Sequence, residues 1–215
     1  GLQNWQKRLV VEVPPDIASQ LDEFSCGNTQ GDIKVNGFTA ETARVSSLSG
    51  DVDLAGFNGV KVNASTVSGA IHWRGGSAQV QEVDVETNSG PVSLSDVTAQ
   101  DCRLKTVTGR VDFAGSSALA FAVETVSGDV STRLGACPQE ADLRSAAGDI
   151  TVNLEENSGF AAEYASVSGR FSSDFTGAGE KGRLLYGSGG PKLTLATTWG
   201  DIRLQRAAGL HARLG

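Results

Sequence analysis

The chain is poor in several residues that mark particular classes of protein. Among 215 residues it has no methionine, two histidines, three cysteines and 6 % aromatic residues. No run of about 18 apolar residues occurs, so the sequence contains no predicted membrane-spanning helix. Cys26, Cys102 and Cys137 are odd in number and irregularly spaced, which predicts neither a disulfide framework nor a metal site. We interpret them as small buried hydrophobic residues.

Positive charge is also scarce. Lysine and arginine number 18 against 25 aspartates and glutamates, which gives a net charge of −7. An acidic surface repels nucleic-acid phosphates and anionic lipid headgroups. We therefore expect no nucleic-acid partner and no direct membrane contact as the main role.

Glycine is abundant instead, with 27 residues, and nine of these glycines mark one repeated pattern. Each follows a short alternating segment that often reads T-x-S-G and is often followed by D-V or D-I. The spacings between these glycines are 19, 19, 21, 19, 19, 20, 21 and 31 residues. Such a period is typical of a solenoid, in which each repeat buries its apolar face against its neighbours. The nine corner glycines are Gly31, Gly50, Gly69, Gly90, Gly109, Gly128, Gly148, Gly169 and Gly200.

Alternation within each repeat predicts which side chains are buried. The positions seven and five residues before the corner glycine, and two residues after it, are apolar or small in every repeat. The position four residues before the glycine is mostly polar. A period of two with one buried face indicates strands, and stacked equivalent positions indicate parallel register. The sequence therefore predicts an all-β fold, a parallel β-solenoid of about nine coils with a period of 19–21 residues.

The repeats divide the chain into five segments. Residues 1–30 are predicted to form an N-terminal strand and cap, in which the strand at residues 9–13 stops at two prolines. Regular solenoid repeats are predicted over residues 31–173. A glycine-rich insertion at 174–191 forms either a loop or an extra hairpin, in which L-L-Y-G pairs with K-L-T-L. The final repeat covers 192–206, and 207–215 is a tail.

One outward column carries Glu86, Lys105, Glu124 and Arg144 in successive coils. β-Helix enzymes that act on polysaccharides place acidic and basic residues on such a face. A catalytic carboxylate pair needs a separation of about 5–9 Å, and rungs at about 4.8 and 10 Å bracket that range. Distance alone therefore does not exclude Glu86 with Glu124. Because no aromatic platform for a sugar accompanies them, we interpret the column as a solvated face with alternating charge.

The corner itself presents two further patterns. Acidic residues follow the glycine in five repeats, which suggests a calcium column, but the other four corners carry Ala, Pro or Arg. Turn chemistry is the favoured interpretation. A column of Ser and Thr three residues before the glycine is similar to an ice-binding rank, yet it is in phase with the buried positions, so a self-satisfied hydroxyl ladder is favoured. The corner acids are Asp32, Asp51, Asp129, Asp149 and Asp201.

No catalytic motif was found. His72 and His211 lie far apart, and neither has a serine or cysteine nucleophile pattern around it. Phosphate-binding and dinucleotide-binding fingerprints do not occur. The sequence therefore predicts no catalytic, cofactor-binding or metal-binding residues, no cofactor and no enzymatic activity.

The repeated T-x-S-G-D-V/I pattern, the L-V-V-E-V-P strand before it and the closing L-T-L-A-T-T-W-G-D-I-R-L together suggest a relationship to known proteins. They resemble a family of bacterial β-strand-repeat proteins that are catalogued as adhesins or as a domain of unknown function. The resemblance covers residues 9–204. It implies a right-handed parallel β-helix and export to the periplasm or cell surface, and it supplies no catalytic residues. Because we expect the native N-terminus to lie upstream of Gly1, the cytoplasm stays an open alternative.

Three functions follow as hypotheses. The first is a non-enzymatic adhesin-like or envelope-associated scaffold that binds a protein or glycan through a repetitive β surface. The second is a self-assembling structural solenoid, because solenoid ends are unpaired strand edges. The third is a β-helix enzyme that acts on polysaccharides.

Overall fold

The computed structural model describes residues 21–76, 79–117 and 119–207. This part of the chain contains strands and no helix, and it forms a β-solenoid of about seven turns. The predicted fold class is therefore confirmed. The predicted strand at residues 9–13 and the tail beyond residue 207 lie outside the described residues.

Eighteen strands form two sheets that meet at the corner glycines. We call the strands before the glycine sheet A, those after it sheet B, and the two strands that flank one glycine a rung. Sheet A contains β1 (Glu23–Asn28), β3 (Thr42–Ser49), β5 (Lys61–Ser68), β7 (Val80–Ser89), β10 (Ala120–Ser127), β12 (Glu140–Ala147), β14 (Gly159–Ser166), β16 (Arg183–Gly187) and β17 (Lys192–Trp199). Sheet B contains β2 (Ile33–Thr39), β4 (Val52–Asn58), β6 (Ile71–Arg74), β9 (Val111–Ser117), β11 (Val130–Leu134), β13 (Ile150–Leu154), β15 (Phe171–Ser173) and β18 (Ile202–Arg206). The long strand β8 (Val92–Thr108) contributes to both sheets.

Neighbouring rungs pair in parallel, and equivalent repeat positions face each other. Val123, for example, lies between Leu104 and Leu143 in sheet A. The three predicted core columns are buried along the stack, and their partly buried members all lie in the first and last rungs: Phe24, Cys26, Tyr164 and Phe171. This outcome confirms the column assignment, because an end rung has a neighbour on one side only.

The irregular third side of each coil also contributes to the core. Phe57 and Val97, each seven residues after a corner glycine, are buried, and Phe38 packs against the core. The rings of Phe38 and Phe57 lie 5.2 Å apart between their centroids. The interior is therefore closed by apolar side chains on this side as well.

Glycine is required at the corner because successive rungs approach closely there. A Cβ atom on Gly128 would lie 2.0 Å from the carbonyl oxygen of Gly109, and one on Gly50 would lie 2.0 Å from that of Gly31. Real Cβ atoms do not approach an oxygen so closely, so any other residue would push the rungs apart. The glycine repeat thus follows from rung spacing.

The last two repeats are not in chain order. Through β12 and β13 the chain advances by one rung with each repeat. The last repeat (β17 and β18) then pairs with β12 and β13 on one side and with the eighth repeat (β14 and β15) on the other. Separately, the prediction of about nine coils is slightly above the roughly seven turns of the solenoid. The last repeat is inserted beneath the eighth.

This order alternates small and large side chains in one buried column. In the buried column seven residues before the glycine, Ala141 faces Leu193, Leu193 faces Ala162, and Ala162 faces Leu184 of β16. Direct stacking of the eighth repeat on the seventh would place Ala141 beside Ala162 and leave a void. The inserted leucine fills that space.

The insertion at 174–191 caps the end of sheet A. Its strand β16 pairs antiparallel with β14, from Gly159 opposite Gly187 to Glu163 opposite Arg183. The alternative of a hairpin between L-L-Y-G and K-L-T-L was wrong, because β14 lies between those two segments. Phe175 and Tyr186 pack on Phe160 with ring centroids about 5 Å apart, and they cover the core at this end.

Candidate functional site

The Ser and Thr column lies inside the corner. Its side chains are buried except for the half-buried Ser166, and six of the hydroxyls donate a hydrogen bond to the carbonyl oxygen of the corner glycine in the neighbouring rung. These distances run from 2.9 to 3.3 Å. The column therefore joins rungs and does not form an exposed plane. The six donors are Thr66, Thr87, Thr106, Ser145, Ser166 and Thr197.

The corner acids also join rungs. In all five, the Oδ1 atom accepts a hydrogen bond from the backbone N–H of the equivalent residue in the next rung, at 2.7–3.0 Å. The ladder is interrupted at Ala70, which has no carboxylate to accept a hydrogen bond from the corner residue of the next rung. That residue is Pro91, which has no backbone N–H to donate, so no donor is left without an acceptor at this step. The acids thus satisfy backbone donors. The described residues contain no group of three or more His, Cys, Asp or Glu side chains that could hold a metal ion.

Arg203 fastens the inserted repeat to its neighbour. Its guanidinium donates to Asp149 Oδ2 at 2.7 Å and to Asp201 Oδ2 at 2.8 Å. The hydrogen bond from Arg203, together with the bond from the Asp201 backbone N–H, lowers the pKa of the Asp149 carboxyl below its usual value. Arg206 of the same repeat reaches Glu156 and lies over the Phe175 ring.

The outward charged column is solvent-exposed along its length. Glu86 and Glu124 both face Lys105 in the ladder, so a cation lies between the two carboxylates. Arg144, the next member, turns to Asp142 of its own strand, with Nε 2.7 Å from Oδ1. The geometry is that of a solvated face with alternating charges.

His72 and the cysteines stand apart from one another, and His211 lies outside the described residues. His72 is exposed on β6, between Asp53 and Ser93 of the adjacent rungs. All three cysteines are free thiols. Burial raises the pKa of Cys137 to about 11 and that of Cys102 further, so both stay protonated at neutral pH and are poor nucleophiles.

An exposed apolar column runs along the corner, and sequence reasoning missed it. It lies two residues before the glycine, beside the buried hydroxyl column, and Trp199 adjoins it one position later. These six side chains are 40–80 % exposed. The valine or leucine in T-V-S-G, S-L-S-G, T-V-T-G and S-V-S-G is the signal that identifies it. We call this surface the corner ridge, formed by Leu48, Val67, Val107, Val126, Val167 and Trp199.

The corner ridge is long and straight because the rungs are in register. Equivalent positions stack at about 4.8 Å per rung, so the ridge extends roughly 35 Å from Leu48 to Val167. Asn88, Ala146 and Thr198 occupy the intervening rungs. The corner carboxylates border the ridge on one side.

A groove lies beneath the turn that precedes β16. Its volume is about 940 Å³, and Ala165, Thr194 and Ala196 are among the residues of sheet A that line it. Lys181 and Arg183 are among those lining it from the turn. The long charged side chains of the outward column are replaced here by alanines, which leaves this space open.

The described residues include no helix long and apolar enough to cross a membrane. The family model described as Toastrack DUF4097 matches residues 11–79 and 74–205. These segments together cover most of the chain. No curated protein and no solved structure matches it.

Proposed function

The chain belongs to the Toastrack DUF4097 family of domains of unknown function, and from this premise we propose that it is a non-enzymatic interaction module of the bacterial cell envelope. In this proposal the corner ridge binds a partner protein. The observation that carries the proposal is the exposure of six large apolar side chains along one corner, in a column that Asn88, Ala146 and Thr198 interrupt.

Exposed apolar side chains in a row have an energetic cost in water unless a partner covers them. Single exposed hydrophobic residues are ordinary, but a contiguous apolar patch with a polar border is characteristic of interaction sites. The corner ridge has such a border, with serines or threonines beside most of its members and the corner carboxylates beyond. Trp199 adds the residue type most enriched at binding hot spots.

A protein partner is favoured over a glycan. Sugar rings stack on exposed aromatic faces, and Trp199, 63 % exposed, is the one aromatic residue among the exposed large hydrophobic side chains that the structure describes. The other ridge members are aliphatic. The envelope location is supported by the resemblance to exported bacterial repeat proteins.

Site-specific photo-crosslinking in the native bacterium tests the interaction. A photoreactive residue at Val126 is expected to form a covalent adduct with one defined partner protein. The matched control is the same residue at Glu124, two positions earlier on β10 and also exposed. Equal adducts at both positions, or none at Val126, would contradict the proposal.

Two further measurements test the envelope location and the binding by the corner ridge separately. Cell fractionation is expected to place the protein in the periplasm or at the surface, and recovery in the cytoplasm would overturn the envelope assignment alone. A Val67→Ser/Val107→Ser variant is expected to abolish the Val126 adduct while the melting temperature moves little, since both side chains are already partly solvated.

A further inference from the structure

The insertion of the last repeat creates an internal slot in the solenoid. We define this exchange slot as the space between β12–β13 and β14–β15, which β17 and β18 now fill. Both edges of the slot pair with the insert: β12 and β14 with β17, and β13 and β15 with β18. An occupant therefore gains two hydrogen-bonded ladders, whereas an end rung gains one.

The slot is selective for its occupant. It needs a large aliphatic side chain between Ala141 and Ala162, which Leu193 supplies. Seven residues later it needs a glycine, because a Cβ on Gly200 would lie 2.1 Å from the Gly148 carbonyl oxygen. Among the nine repeats of the sequence, the last is the one with leucine at that first position. The occupant that fits is the last repeat of this chain.

The connection into the insert is a short turn. Residues 188–191 must carry the chain from β16 to β17, which lie on opposite sides of β14. Gly189 and Gly190 both have positive φ, at 72° and 110°, and Pro191 follows. Proline favours an extended conformation in the residue before it. Short turns of this kind favour domain swapping, because opening the turn relieves its conformational constraint.

From these observations we propose that two copies of the chain exchange their last repeats. In the exchanged dimer, residues 192–206 of each copy fill the slot of the other, and the turn at 188–191 is extended. Every ladder bond of the monomer is kept, so the two forms differ chiefly in the turn and in association entropy. The arrangement is closed and two-fold, unlike the end-to-end stacking that solenoid edges suggest.

Cysteine pairs across the slot test the exchange in the full chain. Ala147 and Trp199 are exposed and directly paired, at a strand spacing that a disulfide can bridge. One copy carries Ala147→Cys and the other Trp199→Cys, both with Cys26→Ser and Cys137→Ser. The two are refolded together at high concentration and then oxidised. We expect a disulfide-linked dimer, which doubles the 22.3 kDa chain mass.

The matched control uses Thr108→Cys in one copy and Ser127→Cys in the other. These positions are paired in the same way, but both belong to rungs that do not exchange. A linked dimer from the slot pair and none from the control pair supports the proposal. Linked dimers from both pairs, or from neither, overturn it. Ala147→Cys/Trp199→Cys in one chain verifies folding, since its disulfide forms within the monomer at low concentration.

Changes in the turn sharpen the test. Gly190→Ala meets no neighbouring atom, so its effect comes from the positive φ alone. We expect it to raise the dimer fraction in size-exclusion chromatography. Gly37→Ala is the control, because Gly37 also has positive φ with open space around it but lies outside the turn. An equal rise in both variants, or none in Gly190→Ala, would count against exchange.

Discussion

The first seven rungs and the C-terminal end obey the same column rules but differ in the path of the chain. In the first region, bonded corner residues are 19–20 positions apart, as between Asp32 and Asp51 or Asp129 and Asp149. In the second, Asp149 bonds a residue 52 positions away. The repeat pattern determines a residue's column but not the order of the rungs, and the order adopted places Leu193 between Ala141 and Ala162.

The two regions also differ in the entropic cost of closing the loops between paired strands. Bringing together residues 52 positions apart requires a longer loop than closing one repeat, and long-range pairings form late in folding. The end region offsets this cost with contacts that the regular rungs lack: the Arg203 clamp, the aromatic cap and the antiparallel strand β16.

A buried charge in the regular region should have the largest effect. Val123→Asp places a carboxylate in the core of β10, and we expect a loss of about 4 kcal/mol in unfolding free energy. Val126→Asp, three residues later on the same strand but exposed, should change stability by less than about 0.5 kcal/mol. Urea denaturation measures both. Similar losses in the two variants would refute the column assignment.

A cavity in the inserted repeat should separate the two regions. Leu193→Ala removes the side chain between two alanines and should cost about 3 kcal/mol. Amide hydrogen exchange should then accelerate most in β17 and β18, because the insert opens first. Leu104→Ala in the fifth rung is the control, since Leu104 is also buried and pairs with Val85 and Val123, away from the insert. If both variants accelerate exchange in the same strands, the insert is not an independent unit.

The corner acids should contribute less. Asp129→Ala removes the acceptor for the Asp149 backbone N–H, a bond of 2.9 Å, and should cost about 1 kcal/mol. Arg110 occupies the same corner position one rung earlier without accepting such a bond, so Arg110→Ala should be nearly neutral. Thermal unfolding measures the stability of both variants. Equal destabilisation would show that the lost hydrogen bond to the Asp149 N–H does not account for the effect of Asp129→Ala.

The smallest effect should be a dependence of stability on pH at the clamp. Because the Arg203 hydrogen bond lowers the pKa of Asp149 in the folded state, this stabilisation is complete above the unfolded-state pKa. It is lost as the pH falls through the folded-state value. Melting temperatures from pH 7 to about pH 2 should therefore decline more steeply for the parent chain than for Asp149→Asn. Identical dependence of the melting temperature on pH in the two proteins would show that the Arg203–Asp149 pair does not contribute to it.

The regular part of the fold could be predicted because each repeat contains the same pattern of glycine and alternating apolar residues. The spacing of corner glycines and the alternation around residues such as Val123 indicate columns, strands and parallel register without reference to distant segments. The inserted order could not be predicted from the period, because Ala141, Leu193 and Ala162 each satisfy the column rule in either order. Their relative volumes matter only when they are neighbours.

The corner ridge shows a different reason for a missed feature. Val107 and Val126 have the apolar character expected of any strand residue. The two-residue alternation that identifies the buried columns therefore does not mark them as exposed. The buried threonines next to them, such as Thr106, take the inward position and force the valines outward. The groove at Ala165 and Ala196 depends on the overhanging turn, whose position no local pattern specifies.

The inserted last repeat changes how the molecule bears mechanical load. Any chain that continues beyond Arg206 leaves from an interior rung, held by a ladder on each side. A pulling force applied there must shear or unzip two rows of hydrogen bonds together, whereas an outermost rung would peel away along one. A pull at the C-terminal end of β18 is therefore resisted by two strand ladders instead of one.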